Sequence, residues 1–254
     1  MEVSKINQDK PLKEVYEDLA AEWYLSPEGP MALTRVETKA QMPWILAEIR
    51  KYIGYKAEIL DVGSGAGFFS NEAARAGHKV TGLDISTVSL KVAELMDKTQ
   101  TVRYVEGDAY KMPFPKESFD VVVAMDLFEH VSDPEKIMME MSRVLRPGGL
   151  LFFHTINKNA LSYLIVIKGM RWFLKNTPPE YHTYSLLRTP EQINDWCDEC
   201  GLIMQQVRGL RPKILQRGFW RLLWNHDIAD NMGFVWSRSK MISFSGYAKK
   251  FREH

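Results

Sequence analysis

Two groups of residues in this 254-residue chain have the types and spacing to do chemistry. The first is Asp61-Val62-Gly63-Ser64-Gly65-Ala66-Gly67, which follows the apolar pair Ile59-Leu60. Glycines at a strand-to-helix turn let the backbone approach a nucleotide closely, and a dinucleotide site leaves the helix N-terminus bare for a pyrophosphate. Asp61 changes that chemistry. A carboxylate immediately before the first glycine repels a phosphate and attracts an amine. A ligand carrying an ammonium and no phosphate fits this turn, and S-adenosylmethionine is the common one. About 20 residues further on, Gly82-Leu83-Asp84 closes a short strand, the spacing at which a carboxylate accepts hydrogen bonds from ribose hydroxyls. Ile85 stands beside it. After the next strand come Gly107-Asp108-Ala109, where Asp108 could accept from an adenine amino group and Ala109 could offer a backbone amide. Met125 would pack on the sugar or base. The competing reading of Asp84 and Asp108 is two solvated carboxylates at strand ends.

The second group is Asp126, Glu129 and His130, spaced i, i+3 and i+4. On an incipient helix these would share one face. Two carboxylates and an imidazole suit a hard or borderline divalent ion such as Mg²⁺. Equally, Glu129 and His130 could cap the turn or line a pocket without metal. His182 is the candidate general base, since imidazole titrates near neutral pH, and His154 is a second. A lone histidine is also often structural.

The elements that must position these residues follow from periodicity. Residues 1–55 read as a helical extension: Leu12 to Trp23 has a helical apolar period, Ser26 to Pro30 breaks it, and Pro43 to Tyr52 gives a second helix. Residues 56–155 form the cofactor-binding core. There the expected order is strand 58–62, helix 67–76, strand 79–83, helix 86–97, strand 101–105, strand 119–124, helix 133–145 and strand 149–155. Such alternation implies an α/β fold with a Rossmann-like, mostly parallel sheet, helices on both faces and ligands at the carboxyl ends of the strands. The glycines of Arg146-Pro147-Gly148-Gly149 serve turn geometry. Residues 156–188 read as a lid or a membrane-facing insertion, and 189–254 complete the sheet within one domain.

Composition narrows the classes. A net charge of +1 with no basic tract gives no electrostatic argument for nucleic acid. No apolar run reaches the roughly 18–20 residues that span a bilayer, and residues 1–6 lack a signal-peptide core. A cytoplasmic protein, peripheral at a membrane at most, is expected. Cys197 and Cys200 lie late in a helix that opens at Thr189-Pro190-Glu191-Gln192, the wrong end for a redox pair and without further zinc ligands nearby. They read as structural.

As a set, Asp61 to Gly67, Gly82-Leu83-Asp84, Gly107-Asp108-Ala109 and Leu145 to Gly149 resemble class I S-adenosylmethionine-dependent methyltransferases. More narrowly, Asp126-Leu127-Phe128-Glu129-His130-Val131 and Phe152 to Asn159 resemble the O-methyltransferases of ubiquinone biosynthesis. Trp23-Tyr24, Glu28-Gly29-Pro30 and Glu180-Tyr181-His182 are similar to further motifs of that family. The family usually has Glu where this chain has Asp126, and Gly-Thr where it has Glu180-Tyr181. The resemblance implies methylation of a catechol-type hydroxyl on a polyprenylated quinone precursor. Asp126, Glu129, His130 and His182 would then form the acceptor site, and Arg35 or Lys39 could meet the methionine carboxylate. Leu161 to Ile167, Lys168, Arg171, Trp172, Phe173 and Lys175 mix apolar, aromatic and basic groups as an interfacial helix does, and Phe219 to Trp224 has the same character. A methyltransferase acting on nitrogen or carbon would share every cofactor residue, as would a non-catalytic cofactor-binding subunit. A nicotinamide dehydrogenase is disfavoured by Asp61.

Overall fold

The computed structural model describes residues 30–169, 172, 182–225 and 232–251. The expected helix over Leu12 to Trp23, the break ahead of Pro30, the motifs at Trp23-Tyr24 and Glu28-Gly29, and Arg171, Phe173, Lys175, Glu180 and Tyr181 lie outside these residues. Helix α1 spans Pro30–Tyr52 and runs through Pro43, where the sequence predicts a helix start. Proline suits a first helical position and costs a hydrogen bond in an interior. Here burial outweighs that cost: Met31, Ala32 and Met42 before the proline and Trp44, Ile45 and Ile49 after it are all buried.

The core then alternates as periodicity predicts: β1 (Glu58–Val62), α2 (Phe68–Arg75), β2 (Lys79–Asp84), α3 (Thr87–Met96), β3 (Arg103–Glu106), β4 (Phe119–Met125), α4 (Pro134–Val144) and β5 (Leu145–Ile156). Beyond it come α5 (Pro190–Glu199), β6 (Leu202–Pro212), α6 (Arg217–Asn225), β7 (Phe234–Ser237) and β8 (Ser243–Lys250). Among the described residues the sheet has eight strands, in the order β3-β2-β1-β4-β5-β8-β6-β7. The first five are parallel, and β8 joins β5 antiparallel with β6 and β7 beyond it.

Burial explains the central strands. Val121, Val122, Val123 and Ala124 of β4, like Leu150 to Phe153 of β5, have no exposed surface, as expected of strands covered on both faces. Chain order reverses between β1 and β4, so a crevice opens at their carboxyl ends. Gly67 and Gly149 are among the glycines that sterics require. A side chain at Gly67 (φ +76°) would strike the Tyr104 hydroxyl and the Ala93 Cβ, and one at Gly149 would come 2.7 Å from the Asp120 carbonyl oxygen. Helix α5 has its Thr189–Gln192 capping box and ends with both cysteines free. Cys197 is buried in the core and burial pushes its thiol up to about 12, an inert sulfhydryl.

Candidate functional site

Among the described residues, two adjoining cavities open in the crevice. The first, of about 330 Å³, is bounded by the glycine turn, the ends of β1, β2 and β4, and Met31, Thr34 and Thr38 of α1. Asp61 is almost wholly buried there and accepts a 2.6 Å hydrogen bond from the Ser70 hydroxyl in the first turn of α2. Desolvation, with a smaller push from the Asp84 charge, raises its carboxyl to about 7 against the pull of the Ser70 bonds. Asp84 Oδ2 accepts from the Gly65 amide at 2.8 Å and Oδ1 from the Ser86 amide at 2.9 Å. This acid therefore pins the glycine turn to the end of β2. Burial raises its pKa and the amides of Ser86, Gly65 and Ile85 oppose the rise.

Asp61, Gly63, Gly65, Asp84, Ile85 and Met125 all line this cavity. Gly67 stands behind the turn, where its amide donates to the Ser64 carbonyl. Asp108 and Ala109 are not among the lining residues. Asp108 is exposed, its carboxylate accepts from the Tyr110 amide, and Ala109 packs against the core. Arg35 and Lys39 are also absent from the lining. Ser70 and the α1 residues were missed in the sequence. Ser70 carries no motif of its own, and α1 reaches the cavity only through the tertiary fold.

A second cavity, of about 360 Å³, adjoins the first, and both are lined by Thr34, Asp126 and His130. Its titratable groups are Glu37, Asp126, Glu129, His130, His154 and His182. Its walls are apolar and include Leu33, Ile156, Leu210, Leu222 and Phe234. The expected single helical face of Asp126, Glu129 and His130 does not form. Asp126 has φ +54° and gives its amide to the His154 carbonyl, so only Phe128–His130 make a helical turn, of 3₁₀ type. That backbone reversal separates the acids into two trios. Glu129, His130 and His182 each offer a ligand atom within 4.8 Å of the others, and so do Glu37, Asp126 and His154.

The electrostatics differ from those of ordinary surface groups. Thr155 donates to Glu129 Oε2 at 2.8 Å, while Oε1 is buried without a hydrogen-bond partner. Desolvation and the Asp126 charge push the Glu129 carboxyl up to about 8. Desolvation takes His130 down to about 4. His182 stacks on His130 with ring centroids 5.2 Å apart, and desolvation plus that neighbour hold it well below the usual imidazole range. Both rings are therefore neutral near pH 7 and can offer a lone pair. Burial raises Asp126 and His154 partly offsets it, whereas Glu37 is raised well by desolvation, then by Asp126 and Glu129. Glu37 was also missed, since one glutamate on an amphipathic helix reads as a solvated face.

Residues 60–153 match the family described as Methyltransferase domain. The chain is similar to the Ubiquinone biosynthesis O-methyltransferase of Leptothrix cholodnii, at 34% identity over 210 residues, covering 81% of this chain and 88% of that protein. It is 32% identical over 235 residues to the Ubiquinone biosynthesis O-methyltransferase of Actinobacillus pleuropneumoniae, covering 89% and 97%. Among solved structures, a SAM-dependent methyltransferase from Thermotoga maritima superposes with a TM-score of 0.60 at 16% identity, covering 93% of this chain and 98% of that one. One from Aquifex aeolicus gives 0.57 at 19%, covering 94% and 99%. At these identities the two structures establish the fold.

Proposed function

The chain belongs to the ubiquinone biosynthesis O-methyltransferase family, and from that premise we propose that it methylates a phenolic hydroxyl of a lipophilic quinone precursor within the second cavity. It is an S-adenosylmethionine-dependent methyltransferase. The observation that carries the acceptor assignment is the junction of the two cavities at Thr34, Asp126 and His130. Methyl transfer from a sulfonium is an in-line displacement, so catalysis is chiefly placement of oxygen, carbon and sulfur on one axis. A donor in the first cavity and an acceptor in the second meet at that junction.

In this reading Asp61 faces the methionine ammonium and Asp84 accepts from the ribose. Met125 and Ile85 pack on the adenosine. Asp108 lies two residues past Glu106, the strand partner of Asp84, which supports a place for it and Ala109 toward the adenine end.

On the acceptor side, a phenol titrates near 10 when unperturbed, and its oxygen reacts better once the proton has left. Neutral His182 can take that proton, stacked on His130 and reaching the same cavity. Mg²⁺ is the proposed metal, and the orphaned Glu129 Oε1 beside two lone-pair-bearing imidazoles supports a cation there. Glu129 and His130, with the Asp126 carboxylate nearby, would hold it, which leaves the His182 lone pair to take the proton. Such an ion, when bound, lowers the pKa of a phenolic oxygen.

A peripheral membrane contact completes the reading. Leu164, Ile165 and Trp172 are exposed yet line the acceptor cavity, as does Phe219 of α6, next to exposed Trp220 and Trp224. Lys168, Arg217 and Arg221 punctuate the same two segments. Apolar and aromatic groups with interspersed cations suit an interface with anionic lipid, the place to collect a polyprenyl tail. No described helix is long and apolar enough to cross a membrane.

The test is transfer of labelled methyl from S-adenosylmethionine to a short-chain polyprenyl catechol, with Mg²⁺ and with chelator. Metal-dependent O-methylation is expected. Cofactor binding with no methylated catechol would remove the quinone-precursor assignment.

A further inference from the structure

His182 enters the acceptor cavity from a segment that the sheet itself does not hold. The chain after it makes a single 3₁₀ turn, Tyr184–Leu186. Thr183, Tyr184 and Ser185 are exposed, so burial of this turn does not fix the imidazole that precedes it. The apolar hold on the segment is Leu187, fully buried against Ile156 and Ile167, and a ring contact between Tyr184 and Tyr163. Its polar hold is Arg188.

Arg188 is only 8% exposed, and a guanidinium is costly to bury unless its donors are met. Every hydrogen bond that this guanidinium makes among the described residues goes to a backbone carbonyl. Nη1 donates to Ser185 at 3.0 Å and to Leu187 at 3.4 Å, while Nη2 donates to Val131 at 3.2 Å. Glu135, the acid whose charge acts on it most, is engaged by the Trp196 indole at 2.9 Å. The guanidinium lies over that indole, 5.9 Å from the ring centroid.

The three carbonyls belong to two different turns. Val131 directly follows His130 and closes the 3₁₀ turn Phe128–His130, whereas Ser185 and Leu187 belong to the segment after His182. One rigid fork therefore clamps together the two turns that carry the stacked imidazoles, whose planes differ by 28°. The clamp is anchored in its turn at the end of β5. Lys158 donates its amide to the Arg188 carbonyl at 3.1 Å, and Asn157 pairs with Arg188 in an isolated parallel bridge.

We infer that Arg188 is a positioning residue for methyl transfer, fixing where His182 stands against His130 in the acceptor cavity. It lines neither cavity itself, so it acts through the histidine. The inference rests on the reading of His182 as the base. A base has to stand within about 2.6–3.2 Å of the proton it takes, and a displacement of about 1 Å can cost on the order of 10²-fold in rate.

The experiment is a double-mutant cycle on kcat, with a short-chain polyprenyl catechol and saturating S-adenosylmethionine. His182→Ala should lower kcat by about 10²–10⁴, and Arg188→Met by on the order of 10². In Arg188→Met the Kd for S-adenosylmethionine and the acceptor KM should stay within about twofold, a split that general damage to the fold would not give. The double variant should be no slower than His182→Ala alone. Losses that multiply in the double variant would overturn the inference and leave His182 as the base. A kcat for Arg188→Met within about twofold of the unaltered protein would also overturn it. Full kcat in His182→Ala would remove the base and the positioning role together, an outcome read from that single variant. If Arg188→Met does not fold, judged by S-adenosylmethionine binding, Arg188→Lys takes its place in the cycle. It keeps the buried charge and loses the fork, so its smaller loss should likewise vanish in the His182→Ala background, and persistence there would overturn the inference.

Discussion

The two cavities meet at Asp126 and His130, yet they are built in opposite ways. In the cofactor cavity the polar work is local: Asp61 is satisfied by Ser70, and Asp84 by the amides of Gly65 and Ser86. All of it lies within one β-α-β unit. The acceptor cavity draws on residues from Leu33 to Ser243. Its carboxylates face one another, and Glu129 Oε1 has no partner. One end is organised before its ligand arrives. The other gathers carboxyls that burial and one another's charge push upward, one of them with an oxygen that no protein group meets, and such perturbed groups in a cleft are where reactivity is to be expected.

If that division is right, replacing a carboxyl at the acceptor end should cost turnover and spare cofactor binding. Glu129→Gln should lower kcat by about 10²–10⁴, the range for loss of a positioned catalytic group. Calorimetry should find its Kd for S-adenosylmethionine within about twofold of the unaltered protein. A matched loss of cofactor affinity would mean that the two cavities are one energetic unit.

The reciprocal substitution is Asp84→Ala, the next largest effect. It removes the acceptor of two backbone amides, and hydrogen bonds to a charged group contribute about 1.5–3 kcal/mol each. Cofactor Kd should weaken about 100-fold, roughly 2.8 kcal/mol. At saturating cofactor, kcat should stay within about tenfold. A kcat loss as large as that of Glu129→Gln would assign Asp84 to the chemistry as well.

This contrast also explains what the sequence disclosed. The cofactor end was legible because its parts are contiguous: a strand, three glycines and an acid one strand later can form only a few structures. Strands β1 to β5 were legible for the same reason, from periodicity over short windows. The acceptor end was legible as residue types at Asp126, Glu129, His130 and His182, but their grouping was not. It depends on the left-handed backbone at Asp126, which no side-chain pattern announces, and on Glu37, brought in by a helix whose register is set by core packing. Helix α1 itself was cut short at Pro43, because local propensity marks a start there and only tertiary burial carries the helix through.

A third prediction concerns pH. The carboxyl of Asp61 is raised to about 7 when folded, against about 3.9 in an unfolded chain. The folded state thus holds its proton more tightly. This contribution to stability is complete below about pH 4 and is lost as pH rises through about 7. The unliganded protein should therefore lose stability between those limits, by an amount on the order of a few kcal/mol. An ammonium placed at Asp61 opposes that loss. The rise in Tm on adding S-adenosylmethionine should accordingly grow from pH 5.5 to pH 8, and Asp61→Asn should flatten the trend. A rise that is independent of pH in the unaltered protein would move the ammonium away from Asp61.

The smallest expected effect lies outside both cavities, on the face of α6. Trp224 is 71% exposed and Trp220 47%, with the two rings packed mainly on each other and on Phe219, so their loss should lower Tm by no more than a few degrees. At a lipid surface each ring would bury apolar area worth on the order of 1 kcal/mol. Trp220→Ser with Trp224→Ser should therefore slow methylation of a long-chain acceptor in anionic vesicles by about tenfold. A short-chain acceptor in solution should react at an unchanged rate, because it reaches Glu129 and His182 without the interface. Equal slowing of both acceptors would make α6 a wall of the acceptor cavity instead, since Phe219 and Leu222 of the same helix already line it. The chain length at which the two rates diverge would measure how far the tail extends past the cavity mouth.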